Sequence, residues 1–477
     1  MEKEKNNNLS ECTTIIVGGD LTGDGSRIYA RSEDFDAMRC KNWLVFDETD
    51  NGPEEFVADD SAFRCPLPRH RFGYTALPDY QYHHEWGSAG FNSAGVGESS
   101  TETIFSSEEA LKFDPYVANG LAENCTYNTV LPYIRTAREG VVRLGAMIEQ
   151  YGSAEGFGIG FIDNMETWYL ENACGHHWLA CRIPNDKYFV TGNQSRFRDY
   201  DPEDKDNYMA DKDLLTFAQK NGLWNPSEGK FDFHKAYSKD DIADHTYNYT
   251  RVWGLQGMFT PSLKQDVNVN NFPVYAIPDS GHIGIAELRK AFRFHYDGTD
   301  HDPYLHNNGK EPWRPVSIFR TTQTHLMQVR PWLPDAIGHV VYVADGMADL
   351  GVFLPIYQGI KHFPKAYGIG DNHCSDDSAY WKFRKVMTLA MTNYNAYAPL
   401  VKETYSKLEE ENDQRQREFE ERYLAIYKDR PMEAADMLQS FSDELLNHAL
   451  EVADKLTLEL FTRLTEDTMK NYMFHGA

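Results

Sequence analysis

The sequence predicts an α+β fold in which antiparallel sheets are covered by helices. Three observations support this fold class: a hairpin at the start of the chain, an amphipathic helix over 133–151, and a series of short β-rich runs after it. Strands joined by short turns pair antiparallel, and a helix with one apolar stripe packs against another element. The order hairpin, helix and strands therefore favours sheets with helices on their outer faces.

The opening hairpin is predicted from two β-rich runs with turn residues between them. Residues 13–17 are Thr-Thr-Ile-Ile-Val, and residues 26–31 form the returning run after a glycine-rich turn at 18–25. The first strand begins at Cys12, and the second leads into Arg31 and Asp34. We expect the hairpin to carry these two charged residues back towards Cys12.

The helix over 133–151 is followed by four short runs that predict an antiparallel meander. The helix has its apolar residues at helical spacing, namely Ile134, Ala137, Val141, Leu144 and Ile148. The predicted strands are 157–162, 167–171, 178–182 and 188–191, with turn residues between them.

The rest of the chain divides into an irregular segment and a helical end. Residues 201–302 are polar, and only a helix at 286–294 is predicted there. Two long helices are predicted over 400–428, after Pro399, and beyond Pro431. Their apolar spacing drifts from a strict heptad, so packing on the chain's own body is favoured over a coiled-coil partner surface.

Composition excludes several kinds of partner. The chain has 477 residues, with 47 basic against 73 acidic residues and a formal charge of -26, which repels nucleic acid and anionic membranes. No window is apolar enough to span a bilayer or to act as a secretion signal. Seven cysteines without a Cys-x-x-Cys pair argue against a disulfide framework and favour a reducing, cytoplasmic location.

The histidine pairs are the strongest indication of a metal site in the sequence, but this indication is weak. His83-His84, His176-His177, and His362 with His373 do not form a His-Glu-x-x-His motif. The chain also contains no Gly-x-Ser-x-Gly elbow, phosphate loop or dinucleotide fingerprint after a strand. We therefore predict no metal and no cofactor.

Cys12 is the strongest catalytic candidate because it follows a short polar leader directly. A cut between Glu11 and Cys12 would place a thiol and an α-amine on one residue. The thiolate attacks amides, and an amine with a pKa of about 8 exchanges protons near neutral pH. Arg31 would favour the thiolate, and Asp34 would hold the ammonium. From position alone, a small buried hydrophobe remains the alternative reading of Cys12.

A series of motifs occurs in a fixed order along the chain. The motifs are Cys12-Thr13-Thr14-Ile15, Tyr29-Ala30-Arg31-Ser32-Glu33-Asp34, Gly90-Phe91-Asn92-Ser93-Ala94-Gly95-Val96, Trp168-Tyr169-Leu170-Glu171, His177-Trp178-Leu179-Ala180, Gly192-Asn193-Gln194, Thr250-Arg251-Val252-Trp253, His325-Leu326-Met327-Gln328-Val329-Arg330-Pro331 and Phe353-Leu354-Pro355-Ile356-Tyr357. With these motifs the chain resembles the cysteine dipeptidases, the family of N-terminal nucleophile hydrolases typified by bacterial dipeptidase A. The resemblance implies a four-layered αββα sandwich. We expect a propeptide at 1–11, the hydrolase domain at 12–399, and a helical extension at 400–477 packed on the same body.

The resemblance also implies roles for individual residues. Asn92 and Asn193 correspond to the oxyanion and active-site asparagines, and Arg251 corresponds to a site arginine. Arg31 and Asp34 correspond to the pair beside the nucleophile. Without the resemblance, the asparagines would read as turn caps and Arg251 as a surface cation.

The expected function is therefore hydrolysis of dipeptides with a free amino terminus. The carboxylate that binds the substrate ammonium is not identified from the sequence, and a homo-oligomer is compatible with it. Two alternatives stay open: a related N-acyl amide hydrolase, and a noncatalytic partner-binding protein on the same scaffold.

Overall fold

The computed structural model describes residues 11–81, 85–304 and 313–473. The strands up to residue 103 are β1 (Glu11–Val17), β2 (Arg27–Asp34), β3 (Leu44–Phe46), β4 (Glu55–Val57), β5 (Arg64–Pro66), β6 (Tyr74–Ala76), β7 (Ala89–Phe91) and β8 (Gly97–Thr103). The later strands are β9 (Phe157–Ile162), β10 (Thr167–Asn172), β11 (Trp178–Arg182), β12 (Tyr188–Thr191), β13 (Tyr208–Ala210), β14 (Tyr275–Ala276), β15 (Thr321–Val329), β16 (His339–Asp345) and β17 (Leu354–Tyr357). The helices are α1 (Glu108–Leu111), α2 (Glu123–Val130), α3 (Ala137–Tyr151), α4 (Leu214–Lys220), α5 (Phe233–Tyr237), α6 (Asp244–Tyr247), α7 (Tyr249–Phe259), α8 (Ile285–Phe292), α9 (Asp335–Gly338), α10 (Ala379–Met391), α11 (Tyr394–Ile426) and α12 (Pro431–Asn471).

Two large antiparallel sheets face each other at the centre of the molecule. The first has the order β14-β12-β1-β2-β15-β16-β17, and the second has the order β13-β11-β10-β9-β8-β7. Helices α2 and α3 cover the outer face of the second sheet, and α7, α8, α10 and α12 cover the first. The protein is therefore an α+β fold with four αββα layers, as expected.

Alternation along β9 explains how closely the two sheets approach. Phe157, Ile159 and Phe161 pack into the apolar core shared with α3. Gly160 points the other way, and a Cβ there would lie 1.8 Å from the ring of Tyr29 on β2. The missing side chain therefore makes room for the tyrosine between the sheets, and it brings β2 close to the second sheet.

The hairpin forms where the sequence predicts it, and the helix after it begins four residues later than predicted, so Ile134 lies before it. Strands β1 and β2 pair antiparallel, with Cys12 opposite Glu33 and Thr14 opposite Arg31. Helix α3 begins at Ala137 because the Thr136 hydroxyl accepts a hydrogen bond from a backbone N–H of its first turn.

The prediction of a four-strand meander is only partly correct. Strands β9, β10 and β11 form it, but β12 leaves the second sheet and pairs with β1, with Thr191 opposite Thr14. The chain turns at Pro184 and crosses to the first sheet, and β13 takes the free edge of β11. This crossing brings Asn193, two residues after β12, next to the start of β1.

The last two helices are tied to the body by ion pairs. Helix α11 begins at Tyr394, so Pro399 lies inside it and does not precede it as expected. Acidic residues on one face of α11 pair with arginines of the body, in the pairs Glu409–Arg293, Asp413–Arg289 and Glu420–Arg330. The proposed boundary between 399 and 400 stays a prediction.

No helix in the described part of the chain has the length and apolar character to cross a membrane.

Candidate active site

Cys12 lies at the start of β1, between the two sheets. Its side chain is buried at 1% exposure, and Arg31 Nη1 donates a hydrogen bond to Cys12 Sγ at 3.1 Å. Burial raises the pKa of the Cys12 thiol well above its ordinary value, while the Arg31 charge lowers it. With Glu11 still attached, the thiol is therefore protonated, and Arg31 is placed to stabilise the thiolate.

Arg31 is held by residues from both sheets. Its Nε donates to Ser99 Oγ at 3.3 Å, and its Nη2 donates to the Ser100 carbonyl. His325 Nε2 lies 2.8 Å from the same Ser99 hydroxyl, and burial lowers the pKa of His325, so its ring is neutral. These contacts fix the guanidinium in front of the Cys12 sulfur.

A buried ion-pair network lies next to this arginine on β2. Glu33 pairs with Lys41 at 2.7 Å and with Arg31 at 3.4 Å. Burial opposes ionisation of Glu33, but Lys41 and Arg31 outweigh it and lower the pKa of Glu33 to about 2. Glu33 is therefore a carboxylate whose charge is already balanced by these two cations.

Arg251 and Asn193 meet beside the backbone of Cys12. From α7, Arg251 Nη1 donates to the Cys12 carbonyl, and Nη2 donates to Asn193 Oδ1 at 2.7 Å and to Asn248 Oδ1 at 2.6 Å. Asn193 Nδ2 gives one hydrogen to the Thr103 carbonyl at 2.9 Å. Its other hydrogen has no acceptor in the described part of the chain.

Asp34 lies at the end of β2, opposite Glu11 in the strand register. It accepts hydrogen bonds from Arg314 at 2.5 Å, from Thr321 at 2.6 Å and from Ser32 at 3.1 Å. The carboxylate is therefore fixed beside the bond that maturation would break.

Asn92 lies in the turn between β7 and β8, and its side chain makes hydrogen bonds to backbone groups that hold this turn in place. Both hydrogens of its Nδ2 go to the carbonyls of Leu131 and Ile134, each at 2.8 Å. Its Oδ1 accepts from the backbone N–H groups of Ala94 and Val96, each at 3.0 Å. No hydrogen remains for an oxyanion, so we do not place Asn92 among the residues that contact substrate, contrary to the sequence expectation.

Glu102 is a site residue that the sequence reasoning missed. It is fully buried on β8, and the Thr14 hydroxyl donates to its Oε2 at 2.6 Å. Its Oε1 has no hydrogen-bond partner among the described residues. Burial raises the pKa of Glu102 to about 8, although Thr14 and the two arginines Arg251 and Arg31 oppose the shift. The available signal was an acidic residue in the strand-like run 97–103, just beyond the quoted motif.

No cluster of three or more metal-binding side chains occurs among residues 11–81, 85–304 and 313–473. His83 and His84, which were considered as metal ligands, lie outside the described residues. His176 and His177 instead pair separately with Asp114 and Asp211.

A buried cysteine paired with an arginine, between two antiparallel sheets, is an arrangement suited to a thiol hydrolase. The profile of peptidase family C69 matches residues 11–407. A probable dipeptidase from Salmonella dublin is 49% identical over 355 residues, covering 74% of this chain and 82% of that protein. A probable dipeptidase from Latilactobacillus sakei is 33% identical and covers 82% and 83% of the two chains.

A solved structure of a mutant of conjugated bile acid hydrolase from Clostridium perfringens is also similar. It is 11% identical, with a TM-score of 0.32, and the match covers 76% of this chain and 100% of that one. The chain belongs to peptidase family C69. It is a cysteine-type peptidase, and the expected membership of the cysteine dipeptidases is confirmed.

Proposed function

We propose that this peptidase hydrolyses dipeptides with a free amino terminus, and that Cys12 becomes its N-terminal nucleophile once residues 1–11 are removed. The observation that carries the proposal is the 3.1 Å hydrogen bond from Arg31 to the Cys12 sulfur. The matched family region begins one residue before Cys12, and the relatives reported above are named dipeptidases. Residues 1–10 of the proposed leader lie outside the described residues.

Maturation supplies the base that the buried thiol needs. In the unprocessed chain, the Cys12 nitrogen is an amide and cannot accept a proton. Autocatalytic cleavage after Glu11 converts it to an amine beside the sulfur, on the strand that faces Asp34. Asp34 then orients the new ammonium, and Arg31 stabilises the thiolate.

The reaction then follows from these groups. The α-amine takes the thiol proton, the sulfur forms a bond to the peptide carbonyl carbon, and Asn193 donates its remaining N–H to the oxyanion. The Cys12 ammonium gives its proton to the leaving amine as the C–N bond breaks. Water then attacks the thioester, which releases the amino acid and restores the thiol. Arg251 keeps the Cys12 backbone in place throughout.

Substitution of Cys12 tests the assignment. Cys12→Ala is expected to abolish both leader removal and release of amino acids from dipeptides, whereas Cys12→Ser retains part of either activity because a hydroxyl also attacks. Full activity in Cys12→Ala would refute the nucleophile. A panel that compares dipeptides with N-acyl amides separates the dipeptidase from an N-acyl amide hydrolase. Loss of all hydrolysis on thiol alkylation of wild type argues against a noncatalytic binding protein.

We also propose a cytoplasmic location, which is supported by the state of the cysteines. None of the seven cysteines forms a disulfide in the described part of the chain, and six of them are buried.

A further inference from the structure

We propose that Glu102 binds the α-ammonium of the substrate and thereby creates the requirement for a free amino terminus. This assignment rests on the proposed dipeptidase function, and it names the carboxylate that such a substrate needs.

Ionisation of Glu102 raises the pKa of the Cys12 thiol more than ionisation of Asp34 or Glu123 does. Glu123 lies on α2, which covers the outer face of the second sheet. Asp34 is held by Arg314 on one oxygen and by Thr321 on the other. Glu33, the acid opposite Cys12 on β2, is already neutralised by Lys41 and Arg31. Glu33 is therefore committed to its two cations, and Asp34 is committed to its protein donors and to the Cys12 ammonium formed on maturation.

Glu102 differs from these acids because one of its oxygens is held and the other is not. Thr14 fixes Oε2 at 2.6 Å, whereas Oε1 is buried without a hydrogen-bond partner among the described residues. The pairing of β8 with β9 is irregular between Ser100 and Glu102, which indicates a β-bulge. Bulges re-aim side chains, and this one precedes the glutamate that faces β1.

The distance along β1 suits an amino-terminal residue. Cys12 and Thr14 are two positions apart and point to the same face, which separates them by about 7 Å along the strand. In a dipeptide, the ammonium is bonded to the carbon next to the attacked carbonyl. A substrate that is attacked by the Cys12 sulfur and extends along β1 therefore directs its ammonium towards the Glu102 carboxylate held at Thr14.

The charge and burial of Glu102 also favour an ammonium group as its partner. An unpaired buried oxygen is costly, and a cation that donates a hydrogen bond to it removes the cost. Burial raises the pKa of Glu102 to about 8, so its carboxyl group is mostly neutral near neutral pH when no cation is bound. Binding of an ammonium releases that proton to solvent and leaves an ion pair. Glu102 is fully buried while the Glu11–Cys12 bond is intact, so we assign this binding to the mature enzyme.

The test compares two substrates that differ only in the ammonium. L-alanine 4-nitrophenyl ester and 4-nitrophenyl propionate have the same leaving group and carbon skeleton. In mature Glu102→Gln, we expect kcat/KM for the alanine ester to fall about 100-fold, mainly through KM, because one partner of a buried ion pair is removed. The value for the propionate ester, which has no ammonium, should fall far less, so the preference for the alanine ester should be lost.

A matched control is available on the same strand. Glu98 is also fully buried, it has one oxygen without a partner among the described residues, and burial raises its pKa to about 8. It lies opposite Phe161, whose side chain packs in the core shared with α3, so Glu98 points away from the sheet face that meets β1. Glu98→Gln should therefore keep the wild-type preference for the alanine ester.

An equal loss on both esters in Glu102→Gln, or no loss on either, would overturn the assignment of Glu102. If Glu102→Gln fails to mature, Glu102→Asp replaces it. A reduced preference for the alanine ester in Glu102→Asp supports the proposal, and an unchanged preference overturns it. Wild-type turnover of alanyl-alanine is measured in parallel, so that failure of the dipeptidase function is seen independently.

Discussion

Arg31 opposes the effect of burial on the pKa of the Cys12 thiol. Burial favours the neutral thiol, and the guanidinium at 3.1 Å favours the thiolate. The sequence suggested this pairing because the two residues belong to one hairpin. Glu102 could not be found in this way, because it reaches Cys12 only through the packing of one sheet on the other.

The first prediction concerns the charge of Arg31. Since this charge lowers the pKa of Cys12, Arg31→Met should raise that pKa and move the alkylation profile of Cys12 to higher pH. Arg31→Lys, which keeps a cation, should shift the profile less. Peptide mass spectrometry after timed iodoacetamide treatment at several pH values isolates Cys12 from the other six thiols. An unchanged midpoint in Arg31→Met would show that the cation does not act on the sulfur.

The second prediction separates the two asparagines. Asn92→Ala removes four hydrogen bonds of a turn and should destabilise the protein by about 2 kcal/mol or more, with kcat per folded molecule unchanged. Asn193→Ala should lower kcat about 100-fold, because an oxyanion donor is lost. Thermal unfolding and dipeptide turnover measure the two effects. A large loss of kcat in folded Asn92→Ala would restore its oxyanion role.

At the scale of elements, local sequence patterns predicted individual strands and helices better than they predicted which strands pair with each other. The hairpin, α3 and three strands of the meander follow from alternation and helical spacing, which are properties of short segments. Strand β12 was assigned to the wrong sheet because its β-rich residues are compatible with either partner. Pairing with β1 is decided by a long-range crossing, and that crossing positions Asn193.

The third prediction tests the close approach of the sheets. Gly160→Ala would place a Cβ 1.8 Å from the Tyr29 ring and should destabilise the protein by about 1–3 kcal/mol or more. Gly257→Ala is the matched control, because it lies in α7 with no atom within 4 Å of the added Cβ. Denaturant unfolding compares the two variants. Equal stability of both would show that the sheets are less tightly packed than described.

At the scale of the whole molecule, helices from the end of the chain complete the core begun by its first strand. Residues of β1, β15, α10, α11 and α12 belong to one apolar cluster. The arginine pairs on α11 fix how that helix lies on the body. Apolar spacing predicted these helices, but the start of α11 was misplaced because packing tolerates Pro399 near its beginning.

The fourth prediction concerns stability across pH. Burial raises the pKa of Glu98 to about 8 in the folded protein, above its ordinary value near 4.5. The folded state then binds more protons than the unfolded state between these values, so this group lowers stability as pH rises from about 4.5 to about 8. Glu98→Gln cannot titrate and should lose less stability over this range than wild type. Parallel curves of Tm against pH for the two proteins would contradict the shift.

The central claim is that one residue supplies both the sulfur and the amine of the reaction. Intact mass and amino-terminal sequencing of purified, active enzyme test it most directly, with dipeptide turnover measured on the same sample. The account predicts a chain that begins at Cys12 and lacks residues 1–11. Full activity in a chain whose Glu11–Cys12 bond is intact would contradict it.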